Sequence, residues 1–136
     1  MMLSILDQIR AINASAPFNR WAGFDVTAAA EGRAEIRLAM REELTQYSGF
    51  LHAGVTGALI DTVCGFAAAT VAGRVLASHY QVAFYAPAVG QHMIARGQVV
   101  KAGKRQIFAN AELFAIADGV ERRVAGGSSV LMVATA

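Results

Sequence analysis

Residues 47–72 read YSGFLHAGVTGALIDTVCGFAAATVA, a stretch with no Lys or Arg and a single acid, Asp61. At helical spacing Asp61 shares a face with Gly54, Gly57, Ala58, Gly65, Ala68 and Ala72, none of which carries more than a methyl group. The opposite face is bulky: Val55, Leu59, Thr62, Val63, Phe66 and Thr70. A helix that is apolar almost all round has to be wrapped by the rest of its chain. A carboxylate in such surroundings must be paired, protonated or in use. The smooth strip around it leaves it reachable by a partner helix or a ligand.

The flanking segments supply a wrapping. Residues 2–14 place Leu3, Leu6, Ile9 and Ile12 on one stripe, predicting an amphipathic helix that ends before Pro17. Residues 23–30 and 33–40 form a hairpin candidate around Glu31-Gly32. In its second arm Ala34, Ile36, Leu38 and Met40 alternate with Arg33, Glu35 and Arg37, the mark of a half-buried antiparallel strand. Further extended runs follow at 76–86, 93–101, 106–116 and 122–134. They are punctuated by Pro87, Gly103-Lys104 and Asp118-Gly119, with a bulge expected at Gly126-Gly127. The expected class is α+β: a curved antiparallel β-sheet around one long central helix, plus a short N-terminal helix. One domain is expected over residues 1–136, with 1–16 as the N-terminal helix and 17–136 as the core.

Composition narrows the partners. Twelve basic and ten acidic residues leave a formal charge of +2, with no basic run to suit nucleic acid. Apolar residues make up 55% of the chain and charged ones only 16%, so it is expected to enter a membrane or to bury surface against copies of itself. Residues 55–71 would rise about 25 Å as a helix, short of a hydrocarbon core of roughly 30 Å, and Asp61 sits near their middle. Asp7 and Arg10 interrupt the N-terminal apolar residues too early for a signal peptide. Self-association in the cytoplasm, without membrane or nucleic acid, is the expectation. The one cysteine, Cys64, allows no internal disulfide and no multi-cysteine metal cluster, and it reads as a small core residue.

The start of the long helix carries the chemistry. Its first backbone N–H groups lack intrahelical partners and, with the helix dipole, suit an anion or a developing oxyanion. Ala53 and Gly54 have little side chain to obstruct a carbonyl. Gly49 and Gly54 also read simply as turn glycines, His52 as a capping histidine and Gln46 as a loop residue. Ser78 and His79 lie on the next strand, either exposed or projecting toward the helix. Ala53 and Asp61 are eight residues apart, about 12 Å along a helix, too far to act on one atom within one chain. Two copies related by a two-fold axis bring Asp61 of one to the His52-Ala53 end of the other, which predicts a dimer with sites at its interface.

The pattern G-x-L-H-x-G followed by Asp61, here Gly49-Phe50-Leu51-His52-Ala53-Gly54, resembles the hotdog-fold acyl-CoA thioesterases of the phenylacetate-degradation (PaaI-like) type. The resemblance covers residues 18–134 and includes Phe84, Pro87 and Ala88 and the Gly103-Lys104-Arg105 turn. It implies Asp61 as nucleophile or general base. It implies Ala53 as the backbone donor to the oxyanion, where the family usually has a second glycine. Gln46 falls where the family has Asn or Gln, and His52 would shape the thioester site. Gly54 and Ser78 would line it, while Lys101, Lys104 and Arg105, with Arg74 as a weaker candidate, would meet the nucleotide end of coenzyme A. The implied reaction hydrolyses aryl- or medium-chain acyl-CoA without metal or cofactor in a homodimer or homotetramer. A hotdog hydratase or dehydratase is the first alternative, but its usual Asp-x-x-Pro-x-His loop is missing from the sequence. A non-catalytic acyl-CoA-binding or regulatory module is the second, and an acid beside an anionic ligand argues against it.

Overall fold

The computed structural model describes residues 2–134, so Met1, Thr135 and Ala136 of the expected 1–136 span lie outside the described residues. Helices α1 (Ile5–Ser15) and α2 (Pro17–Ala22) precede strands β1 (Asp25–Ala30) and β2 (Arg33–Ala39). A short 3-10 turn, Glu42–Leu44, leads to helix α3 (Ala53–Ala72). Strands β3 (Val75–Phe84), β4 (His92–Ala102), β5 (Gln106–Ala117) and β6 (Val120–Val133) complete the chain. The six strands form one antiparallel sheet in the order β1-β2-β4-β5-β6-β3, and α3 packs against all of them. The expected curved sheet around one central helix is present.

Local chemistry sets most boundaries. Ser4 Oγ accepts the Asp7 N–H at 3.1 Å and caps α1, with Asp7 placed in the favourable first turn. Ala16, held extended before Pro17, ends that helix. The sequence reading has the chain leave helix there, but proline at the first helical position instead starts α2, which closes at Gly23 with φ 86°. Of the expected stripe Ile9 alone is buried, Leu6 is half-buried, and Leu3 and Ile12 are exposed. Helix α1 lies mainly against the edge strand β1, so one line of side chains suffices to seat it. The β1–β2 and β5–β6 hairpin turns each use two positive φ angles, Glu31-Gly32 and Asp118-Gly119, where their sequences predict a turn.

The core lies between α3 and the inner face of the sheet. Ala34, Ile36 and Leu38 from β2, Met93 and Ala95 from β4, and Ile107 and Leu113 from β5 face Leu59, Ile60 and Val63. At Gly97 the helix comes so close that an added Cβ would lie 2.9 Å from the Val63 carbonyl oxygen. The β6 bulge falls at Val124, between the Phe114–Arg123 and Leu113–Ala125 pairs, and not at Gly126-Gly127. Those glycines stay in register, and the Gln81 carbonyl and Ile60 beside Gly127 and Tyr85 beside Gly126 leave no room there for a larger side chain.

Helix α3 is long and apolar enough, by length and composition, to cross a membrane, where the sequence reading judged it short. In this fold it is the core helix, with Leu59, Ile60, Val63, Cys64, Ala67 and Ala68 fully covered. Burial, and then the charge of nearby Asp61, push the Cys64 thiol up to about 12, in keeping with a core role. The open strip is narrower than its sequence suggests. Ala68 is buried and Gly57 lies under Tyr80, while Ala53 and Gly54 are exposed and Ala58, Asp61, Thr62 and Gly65 are half-buried.

Candidate functional site

The loop before α3 is pinned from both sides. The His52 N–H donates to the Leu44 carbonyl at 2.9 Å and the Leu51 N–H to the Ala88 carbonyl at 3.0 Å. Within the loop the Gln46 N–H donates to Phe50 O at 2.8 Å and the Gly49 N–H to Gln46 O at 3.0 Å, a turn that needs Gly49 at φ 82°. The Gln46 side-chain oxygen accepts the Ser48 N–H, which leaves its amide NH2 as a donor. Between this loop, the first turn of α3 and the end of β3 lies a hollow of about 290 Å³, lined by Gln46, Phe50, His52, Ala53, Thr56 and Phe84 among others.

The donors of the first helical turn can be followed one by one. His52 Nδ1 accepts the Gly54 N–H at 2.8 Å, so this nitrogen is unprotonated and the ring caps the helix. The His52 carbonyl accepts from Val55 at 2.9 Å and from Thr56 at 3.1 Å. That leaves the Ala53 N–H with no partner among the described residues, on an exposed residue beside the hollow. Aligned peptide dipoles make this end of α3 partly positive.

Asp61 stands two turns further along the same helix and does not line the hollow. It is half-buried and has no hydrogen bond or ion pair among the described residues. Burial without a partner raises its carboxyl above the ordinary aspartate range. Its distance from Ala53 along the helix is about 12 Å.

The structure therefore brings Gln46, His52, Ala53 and Gly54 together and leaves the other candidates apart within one chain. Ser78 is exposed at a bulge of β3, its hydroxyl donating to Val130 O at 3.2 Å. Lys101 is the next-to-last residue of β4 and Lys104 and Arg105 lie in the β4–β5 turn, all exposed. That turn is tied to the far end of α3, through Val133 N–H to Arg105 O at 2.8 Å and Ala134 N–H to Arg74 O at 2.9 Å. One residue of this region, Thr56, was missing from the sequence reading, and the position of a second, Tyr80, was not foreseen. Thr56 is the one polar residue among the buried positions of α3, a signal present in the sequence. Tyr80 covers Gly57 midway between Ala53 and Asp61, through a strand contact that no local pattern announces. Among the described residues, no cluster of three or more His, Cys, Asp or Glu side chains is placed to hold a metal ion.

Comparison with known proteins gives this geometry a context. Residues 48–121 match the family model described as thioesterase superfamily. The structure is similar to that of a thioesterase family protein from Silicibacter pomeroyi, with a TM-score of 0.91 and 32% identity, covering 95% of this chain and 97% of that one. The same hotdog fold is shared with zebrafish thioesterase superfamily member 2, with a TM-score of 0.82, 23% identity, and 98% and 100% covered. It is also shared with the E. coli PaaI protein from the phenylacetic acid degradation operon, with a TM-score of 0.85, 18% identity, and 97% of each chain covered. No curated protein sequence matches the chain.

Proposed function

The chain belongs to the thioesterase superfamily, and from that premise we propose that it hydrolyses aryl- or medium-chain acyl-CoA to the free acid and coenzyme A. The observation that carries this reading is the unpartnered Ala53 N–H at a capped helix start, beside a hollow, on the helix that also bears an unpaired acid. We assign it to the phenylacetate-degradation (PaaI-like) branch on the motif from Gly49 to Asp61. It acts as one catalytic domain per copy, in the cytoplasm, without metal or cofactor.

The thioester carbonyl oxygen accepts the Ala53 N–H, where charge develops as the carbonyl carbon becomes tetrahedral. Asp61 of a second copy then acts in one of two ways. It takes a proton from the water that attacks the carbon, or it attacks directly and water later cleaves the resulting anhydride. In either case the thiolate leaves, and both routes need Asp61 ionised. Its unpaired, desolvated setting makes the ionised form more reactive. His52 fixes the first turn through its bond to Gly54, and the free amide of Gln46 meets the thioester or the water.

Assembly follows from the distance between donor and acid. A homodimer, or a homotetramer of two such dimers, places each acid against the other copy's helix start. Strand β3 supports this, being a sheet edge that exposes Leu76, Tyr80 and Phe84. Antiparallel pairing of the α3 helices also turns Lys101, Lys104 and Arg105 of one copy toward the hollow of the other, where they pair with the phosphates of coenzyme A. Ser78, beside that edge, faces the same ligand. Release of free thiol from a panel of aryl- and medium-chain acyl-CoAs tests the reading. Turnover that falls by orders of magnitude in Asp61→Asn is expected. Binding of acyl-CoA with no thiol released would instead make the protein a binding module.

A further inference from the structure

Two polar residues are buried among the described residues, Thr56 and Ser129, each 2% exposed. Ser129 donates its hydroxyl to the His79 carbonyl at 3.1 Å. Thr70, on the same helix as Thr56, donates to Ala67 O at 2.7 Å and accepts the Gly32 N–H at 2.7 Å. The Thr56 hydroxyl makes no hydrogen bond among the described residues and, unlike His92 Nδ1, is not sealed from solvent. Its side chain lines the hollow with Gln46, His52, Ala53 and Phe84. Open to the hollow, the hydroxyl is hydrated while the hollow is empty; an apolar group that fills the hollow strips that water and leaves it unpaired, which is unfavourable.

Resting on the thioesterase reading, we propose that Thr56 determines specificity by hydrogen-bonding an oxygen on the acyl group, selecting β- or γ-oxygenated acyl thioesters over their unsubstituted counterparts. The position follows from the helix. Thr56 lies three residues beyond the donor Ala53, about 4.5 Å further along the axis. An extended chain advances about 1.2 Å per bond, so an acyl group anchored at the Ala53 N–H brings an oxygen on its β or γ carbon level with Thr56. The rest of the lining includes the apolar Phe50, Phe84 and Ala88. An unsubstituted chain therefore enters but leaves the hydroxyl unpaired, whereas an oxygenated one pairs it.

Matched substrates test this: butanoyl-CoA against its β-hydroxy and γ-hydroxy forms, and octanoyl-CoA against β-hydroxyoctanoyl-CoA. The wild-type protein is expected to favour an oxygenated member by about tenfold in kcat/KM. Thr56→Val, which replaces the hydroxyl by a methyl group, should bring that ratio close to one, and Thr56→Ser should keep it. The ratio compares two substrates on the same preparation, so partial misfolding of a variant cancels. A wild-type ratio of one for every pair, as a trapped water satisfying Thr56 would produce, overturns the proposal. A preference that persists in Thr56→Val overturns it equally. If no substrate releases thiol, the thioesterase reading itself fails. Calorimetric Kd values for the same pairs then decide the role of Thr56: a tenfold preference lost in Thr56→Val supports it, and equal affinities refute it.

Discussion

Ala53→Pro removes one backbone N–H and leaves the rest of the helix start in place. Position 53 is the first residue of α3, where proline's missing donor costs no intrahelical bond and its fixed φ suits the helix. His52 sits at φ −60° and ψ 135°, already in the extended region that a residue before proline prefers. The cap from His52 Nδ1 reaches Gly54, not Ala53, and so survives. Stability should rise by about 0.4–1 kcal/mol through restriction of the unfolded chain, a gain of roughly 1–5 °C in Tm. Activity should fall in the opposite sense. Losing one oxyanion donor costs about 100- to 1,000-fold in kcat, about 2.7–4 kcal/mol of transition-state stabilisation. Thiol release under saturating acyl-CoA reads kcat, and thermal melting by circular dichroism reads stability. Ala53→Gly, which retains the N–H, separates loss of the donor from change of the side chain. A proline variant that melts normally and turns over at the wild-type rate refutes the assignment of this N–H to the oxyanion.

Four further outcomes follow from the structure. Asp61→Asn should lower kcat by about 1,000-fold or more, and kcat/KM of the wild type should show an acid limb with its midpoint above the ordinary aspartate range, since only the ionised form acts. Because burial raises the folded-state pKa of Asp61, the folded protein binds that proton more tightly than the unfolded chain and loses stability as pH rises through the raised value. Asp61→Asn should therefore melt higher than wild type at neutral pH, with the gap closing in acid; a gap that does not change with pH contradicts this. Co-expressing Ala53→Pro and Asp61→Asn chains should restore roughly a quarter of wild-type turnover, because half of the random dimers carry one intact site of two; no recovery refutes a site shared between copies. Gly97→Ala places a methyl group 2.9 Å from the Val63 carbonyl oxygen and should cost about 1–3 kcal/mol in urea unfolding.

What could be read in the sequence was what local chemistry controls. The alternation of β2, the Glu31-Gly32 and Asp118-Gly119 turns and the end of α3 at Ala72 depend on neighbours a few residues away, and each appears where its pattern placed it; residues 47–52 of the helical stretch are instead the loop before α3. Pro17 carried two local meanings, end of one helix and start of another, and only the packing of Ala22 and Phe24 into the core selects the second. The tight fit of Gly126 and Gly127 depends on Tyr85, Gln81 and Ile60, all more than forty residues away in sequence, and the Val124 carbonyl at the bulge is held by the N–H groups of Tyr85 and Ala86. The site divides along the same line. Gln46, His52, Ala53 and Gly54 are contiguous, so one motif reveals them. Phe84 and Ala88 reach the hollow only because β3 returns along the sheet edge. The cover that Tyr80 places on Gly57 has the same origin.

That cover changes what the small residues of α3 are for. A two-fold axis that brings Ala53 to the other copy's Asp61 must pass level with Gly57, the residue midway between them. A bare glycine there would allow helix to touch helix. In the structure a methyl group added to Gly57 would lie 3.3 Å from the Tyr80 hydroxyl, so the space that glycine leaves is filled by a side chain of the edge strand. In the proposed dimer the two copies would then meet at the axis through Tyr80 rings and the exposed faces of β3, not through a glycine-to-glycine helix contact. The helices would be held apart by those rings, and the gaps on either side, over Ala53-Gly54 and over Ala58-Asp61, would each join a helix start from one copy to an acid from the other. On that arrangement the small residues of α3 serve two ends at once: under Tyr80 they seat the edge strand, and beside it they leave room for a thioester.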